Sequence, residues 1–491
     1  MKQPHIIIFN PDHFRADALA HMGNPAAMTP NLDRLVESDA VSFRQAYCQA
    51  MVCTPSRCCF MSGWYPHVRG HRTMRHMLRG REGEPMLLKS LKDAGYHVWW
   101  GGKNDAVPRQ DGFDDYCDEY YDYSQVPIRH IWKLDQVDQW RPKRGETGFY
   151  SLYAGKLDTD DGEVYFDQDW ANLEGALEFI RNAPTGKPLC IYLPMEYPHP
   201  PFAVEEPWFS AIDRSAVPPR IPEPDDWSHK PKILKEWHDK LALGDYSLEQ
   251  WQELRAVFLG MCARIDDQFG RVLDALRAAG LYDQSAVFFF SDHGTYLGDY
   301  GLVDLNQNTF DDVISNVPLV IKPPKGTAVA PRISDALVEL TDFPATVEAL
   351  AGLEPAHTHF GRSLLDVIAG RTEEHRDAVF AEGGRSAAET HAMETWSRNF
   401  SDPQTFLWPR LSSQADHVNH TRAAMLRTKR WKYVRRLYER DELYDLVNDP
   451  EERVNVVDTP ANGETLAELR ERMLSWFLET SDVVPFDLDE R

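Results

Sequence analysis

The sequence predicts an α/β fold: a large, mostly parallel sheet flanked by helices, followed by a smaller C-terminal unit with an antiparallel sheet and a helix. Three observations lead there. Apolar runs without alternation recur at 5–10, 96–100, 189–193 and 286–290, the pattern of strands covered on both faces. Helical segments stand between them, at 86–94, 171–183 and from Ser247 to Gly280. Each run is followed by residues able to do chemistry: Asp12 and His13, then Lys103, then His199, then Asp292 and His293. In sheets of this kind, binding residues gather at the carboxyl ends of the strands.

In chain order, 5–10 is the first strand, and Thr29 or Asn31 caps the helix that begins near Pro30. The stretch 48–72 organises the rest. Pro55 suits the first turn of a helix, Gly63 its C-terminal cap, and Tyr65-Pro66 a stop. Cys53 is therefore expected at a helix N-terminus, where unpaired N–H groups and the helix dipole favour negative charge. Arg57, one turn on, adds a full positive charge, so the anionic form of a nucleophile at position 53 would be stabilised. Gly101-Gly102 permits the tight turn that delivers Lys103. Residues 106–168 show no periodicity and read as long loops. The Pro-rich stretch 203–246 reads as an insertion. Ser247-Leu-Glu-Gln250 is a capping-box start, and apolar spacing from Trp251 to Leu276 continues the helix, with a bend expected at Gly260. Residues 383–421 read as polar loops, 425–434 and 442–446 as short antiparallel strands, 448–450 as a turn and 466–478 as a terminal helix.

A chain of 491 residues exceeds one ordinary domain; the change in character sets the expected division at 1–375, catalytic, and 376–491, a smaller α+β unit. A formal charge of −24 argues against nucleic acid and anionic membranes as partners, and it requires a local pocket of cations for any small anionic substrate. No apolar run reaches membrane-spanning length, and the N-terminus has no signal-peptide layout, so a cytoplasmic protein is expected. Seven irregularly placed cysteines do not form a disulfide framework; Cys58 and Cys59 read as small buried apolar residues.

Cys53-Thr-Pro-Ser-Arg57 followed by Met61-Ser-Gly63 resembles the signature of the type I sulfatases of the alkaline phosphatase superfamily. Ser291-Asp-His-Gly294, the Asp12 segment, Thr29-Pro-Asn-Leu-Asp-Arg-Leu35 and Pro198-His-Pro-Pro-Phe202 resemble further segments of that family. The resemblance implies an alkaline-phosphatase-like fold and hydrolysis of sulfate monoesters. It implies that Cys53 is oxidised to formylglycine, whose hydrated aldehyde is the nucleophile, by a formylglycine-generating or equivalent modifying enzyme. It also implies one divalent cation, calcium, manganese or magnesium with zinc as a further candidate, held by Asp12, His13, Cys53, Asp292 and His293. Arg57, Lys103 and His199 would stabilise charge on the ester, with His199 the first candidate acid for the leaving group and Lys103 the second; Lys103, Asp105 and His199 would bind substrate. Three positions depart from the pattern: Trp64 stands where arginine is usual, Asp105 where histidine is usual, and 304–308 holds no lysine. Phosphonate monoester or phosphodiester hydrolysis is the alternative within the superfamily. An unmodified, non-catalytic binding protein is the alternative outside it. A homo-oligomer is compatible with either.

Overall fold

Eight strands hydrogen-bond into one sheet. In chain order they are His5–Asn10 (β1), Val41–Tyr47 (β2), His97–Gly101 (β3), Glu119–Tyr121 (β4), Leu189–Pro194 (β5), Ser285–Phe290 (β6), Leu319–Lys322 (β7) and Arg332–Glu339 (β8). The order across the sheet is β8-β2-β7-β6-β1-β5-β3-β4. All neighbours run parallel except β7, which is antiparallel to both β2 and β6. The computed structural model describes residues 3–126, 142–157, 165–393, 398–416 and 418–486.

Strands β1, β5 and β6 are buried along their whole length, which is why their sequences are apolar without alternation. Helices cover the sheet. Pro30–Ser38 (α1) starts where expected but is not capped by Thr29. Asp266 of the long helix Leu248–Ala278 (α3) accepts from the backbone N–H of Asn31 at 3.0 Å and of Leu32 at 2.9 Å. The capping box of α3 forms as expected between Ser247 and Gln250. Gly260 serves close approach within that helix: a Cβ there would lie 2.8 Å from the carbonyl oxygen of Trp208.

Several expected loops carry structure. Residues 106–168 contain β4, the edge strand, and Tyr153–Lys156, which pairs with Phe202–Val204. Parts of that expected loop, at 127–141 and 158–164, lie outside the described residues. Within 203–246 stands the amphipathic helix Lys232–Leu241.

The C-terminal region forms a four-stranded antiparallel sheet, Val379–Gly383, Ala423–Arg427, Trp431–Arg436 and Glu442–Asp445 in spatial order, backed by the helix Gly463–Thr480. Its apolar core includes Phe380, Leu426, Leu443, Met473 and Trp476, and it takes in Trp64 and Tyr65 from the main body. Among the described residues no helix is long and apolar enough to cross a membrane.

Candidate active site

The helix that carries Cys53 spans Cys53–Ser62 (α2), with Cys53 as its first residue and every side chain buried. Gly63 ends it in a left-handed conformation, φ 72°, its N–H donating to Cys59 O at 2.8 Å; a Cβ there would lie 2.7 Å from the Cβ of His359. Trp64 turns away from the site, packs in the C-terminal core and donates through Nε1 to Thr358 O at 2.7 Å. Its departure from the signature is therefore a packing difference.

Four adjacent strands, β6-β1-β5-β3, deliver the remaining residues at one sheet edge. Asp12 and His13 follow β1. Asn10 anchors that strand end by donating to Phe290 O at 2.8 Å, and the Phe14 N–H donates to Ser291 Oγ at 2.9 Å. His13 itself is held at φ 66°, a left-handed conformation uncommon for a residue with a side chain. Lys103 follows β3 through Gly102, where φ is 117° and a Cβ would stand 2.0 Å from Pro194 O; only glycine fits. His199 and Glu196 follow β5, and Asp292 and His293 follow β6.

These side chains converge. Cys53 Sγ lies 3.2 Å from His293 Nε2, 3.6 Å from Asp12 Oδ1 and 3.8 Å from Lys103 Nζ. His293 Nε2 is 3.4 Å from Asp12 Oδ1 and 3.8 Å from Asp292 Oδ1. The His13 ring packs edge-on against both His199 and His293, with centroids 4.4 and 4.5 Å apart. Arg57 Nε donates to Asp292 Oδ2 at 3.0 Å, and Ser56 Oγ donates to the backbone carbonyl of Asp292 at 2.6 Å, so one residue of α2 holds the carboxylate that follows β6 and another holds its backbone. Lys103 pairs with Asp12 Oδ2, and lies 3.2 Å from Asp105 and 3.6 Å from Glu196. Asp105 thus braces the lysine.

The electrostatics follow from burial and this crowding. Burial works against ionising Asp12, yet Lys103 and the three histidines hold its carboxyl well below the usual range. Burial disfavours the Lys103 ammonium, but Asp12 outweighs it and keeps the group protonated. Burial, then Asp12, pushes the Cys53 thiol up, so an unmodified cysteine here is a poor nucleophile. Burial and the charge of Lys103 lower His199 to about 3. Its Nδ1 donates to Pro200 O at 2.6 Å, which identifies the protonated nitrogen of the neutral ring.

Asp12, His13, Cys53 and His293 each present a ligand atom within 4.8 Å of the others, all buried. Among the described residues neither ring nitrogen of His13 has a hydrogen-bond partner. A wholly buried imidazole without partners is costly, and a divalent cation is what such a donor set accommodates. Asp292 stands beside this group, with Oδ2 taken by Arg57.

A family model described as Sulfatase matches residues 4–353, which is most of the chain. The chain belongs to the sulfatase family. It is a hydrolase of the alkaline phosphatase superfamily, and membership implies a metal ion and formylglycine in general terms. A multifunctional alkaline phosphatase superfamily protein, PehA, of Trinickia caryophylli is 25% identical over 98% of this chain and 96% of its own. An arylsulfatase of Clostridium perfringens is 23% identical over 96% of this chain and 94% of its own. Among solved structures, a phosphonate monoester hydrolase of Agrobacterium radiobacter superposes with a TM-score of 0.73 at 22% identity, covering 97% of this chain and 96% of its own. This likeness establishes the mostly parallel sheet with a small antiparallel C-terminal sheet as the fold of that group.

Sequence reasoning missed one member of the site. Glu196 stands at a strand end like the others, and that position was a usable signal.

Proposed function

We propose that the chain hydrolyses sulfate monoesters, with position 53 as nucleophile once its cysteine is oxidised to formylglycine. The observation that carries this reading is the placement of Cys53 at the start of α2, with Asp12, His293 and Lys103 all within 3.8 Å of its sulfur. Asp12, His13, Asp292, His293 and position 53 would hold one divalent cation, which when bound supplies Lewis-acid activation of the nucleophile and of an ester oxygen. Two imidazoles beside two carboxylates suit manganese or zinc better than calcium.

The chain's own residues divide the remaining work. Arg57 keeps Asp292 oriented and places a permanent positive charge under the start of α2. Lys103 is the protonated group nearest the nucleophile; it stabilises charge on the ester oxygens and is the better placed proton donor to the leaving group. His199, neutral at pH 7 without substrate, accepts through Nε2. An anionic ester beside it counters the effect of Lys103 and favours its protonated form. Burial of these groups excludes water and strengthens each charge interaction.

Phosphonate monoester hydrolysis is the second reading, favoured by Asp105 in place of a histidine and in keeping with the phosphonate monoester hydrolase of similar fold. Parallel assays on an aryl sulfate and an aryl phosphonate monoester test the choice. The expected result is a higher kcat/KM on the sulfate. A higher value on the phosphonate reverses the assignment, and inactivity on both refutes it.

A further inference from the structure

The two cations at the base of the site are already engaged. Arg57 is bound to Asp292, and Lys103 lies among Asp12, Asp105 and Glu196. An anionic ester entering so acidic a setting needs further positive charge. A third cation stands nearby, in the C-terminal region. Arg410 sits on the short helix Trp408–Ser413, and its Nη1 donates to Asp304 Oδ2 at 2.8 Å. This is the one hydrogen bond its guanidinium makes among the described residues. The Arg410 side chain is 13% exposed and that of Asp304 is 3% exposed.

Asp304 lies close to the site, and its carbonyl oxygen accepts from Thr295 Oγ1 at 3.2 Å. Asp304 lies in the strand Val303–Asp304, paired with Tyr296–Leu297 just beyond His293, and it is held at φ 72°. Burial raises its carboxyl while Arg410 and then His293 lower it, and Arg410 adds to the charges that depress His199. Through Asp304 the guanidinium is joined to the segment that follows His293. Its helix is fastened to the segment beneath: Asn306 Nδ2 donates to Ser413 Oγ at 3.3 Å, and Gln307 Nε2 to Gln414 Oε1 at 3.1 Å. A surface arginine that meets an acid by chance has no such support.

We propose that Arg410 is a substrate-binding residue, taking an oxygen of the anionic ester from the His199 side, and that Asp304 is the positioning residue that aims it. The inference rests on the ester-hydrolase reading above. A planar guanidinium suits the role because one N–H can be anchored by Asp304 while others of the fork meet the ester.

The test uses the full-length, metal-loaded protein. KM and kcat on an aryl sulfate, and the inhibition constants of inorganic sulfate and phosphate, are measured for wild type, Arg410→Ala, Arg410→Lys and Asp304→Asn, with a melting curve for each. Loss of a charge-assisted hydrogen bond predicts KM and both inhibition constants about tenfold or more higher in Arg410→Ala. Arg410→Lys should fall between, and Asp304→Asn should shift the same constants by less. Folded variants with wild-type KM and inhibition constants would overturn the proposal and leave a structural ion pair, whatever their melting points. If Arg410→Ala does not fold, Arg410→Lys and Asp304→Asn decide by the same constants. A wild type inactive on sulfate and phosphonate esters alike would overturn the underlying reading and this inference with it. An active wild type with an unaffected Arg410→Ala overturns this inference alone.

Discussion

Two largely buried clusters of charge in this molecule are built on opposite plans. At the far end of the sheet, Arg376 donates to Asp342 through Nε at 2.9 Å and Nη2 at 2.5 Å, to Phe360 O at 2.9 Å, and approaches Glu339 at 3.1 Å. Asp342 also accepts from the N–H of Arg362 and of Glu339, and His375 lies 3.0 Å from it. In the candidate active site, Arg57 and Lys103 are paired, but among the described residues the two ring nitrogens of His13 have no hydrogen-bond partner. The first cluster is closed and holds the chain together. The second is left open at the atoms a ligand would use, and it is their clustering with Asp12, Cys53 and His293 that marks the place.

Substitutions in the two clusters should therefore fail in different ways. Cys53→Ala should lower turnover by about 10³-fold or more while leaving the melting temperature nearly unchanged, because it removes the nucleophile and one small buried group; steady-state kinetics and calorimetry on one preparation check both halves. Arg376→Ala should do the reverse. It strands two buried carboxylates, so stability should fall by about 3–5 kcal/mol, with kcat per folded molecule unchanged; urea unfolding gives the first number and active-enzyme kinetics the second. A loss of kcat without a loss of stability would erase the distinction between the clusters.

His13→Ala should lower affinity for a divalent ion by about 10- to 100-fold or more, read by metal analysis after dialysis against a weak chelator. Wild-type metal content would mean that His13 is a packing residue. The smallest effect concerns the support of that segment. Arg15 pairs with Asp299, which Arg255 also reaches at 3.2 Å. Against the cost of burial, the two arginines lower the Asp299 carboxyl from 3.8 to about 2. A carboxylate depressed on folding stabilises the folded chain above its unfolded pKa, and this stabilisation is lost as pH falls through the folded value. On the order of 2 kcal/mol should disappear between about pH 4 and pH 2, and Asp299→Asn should flatten that limb of the stability profile. An unchanged limb would assign the acid sensitivity to other pairs.

Much of the fold was legible because β1, β3, β5 and β6 are short, apolar and each followed at once by the residues they deliver. Strands β2 and β8 were not: Val41-Ser-Phe-Arg-Gln-Ala-Tyr47 and Arg332-Ile-Ser-Asp-Ala-Leu-Val-Glu339 mix polar and apolar residues without a clean period, and β8 is interrupted by a register shift. Strand β4 is three residues long and stands at the sheet edge, too short for periodicity to register. The site residues named from the sequence do converge, because a parallel sheet sends successive strand ends to one edge. Arg410 was invisible for a different reason: its role depends on Asp304 and His199, both far from it in the chain, and no local pattern encodes that meeting.

The central claim is that position 53 is the nucleophile in an oxidised form. The most direct measurement is the mass of the peptide containing residue 53 in catalytically active protein. The account predicts a peptide about 18 Da lighter than the cysteine form, the difference set by covalent composition, in a fraction that rises with specific activity. Full activity from a peptide of unmodified cysteine mass would contradict it.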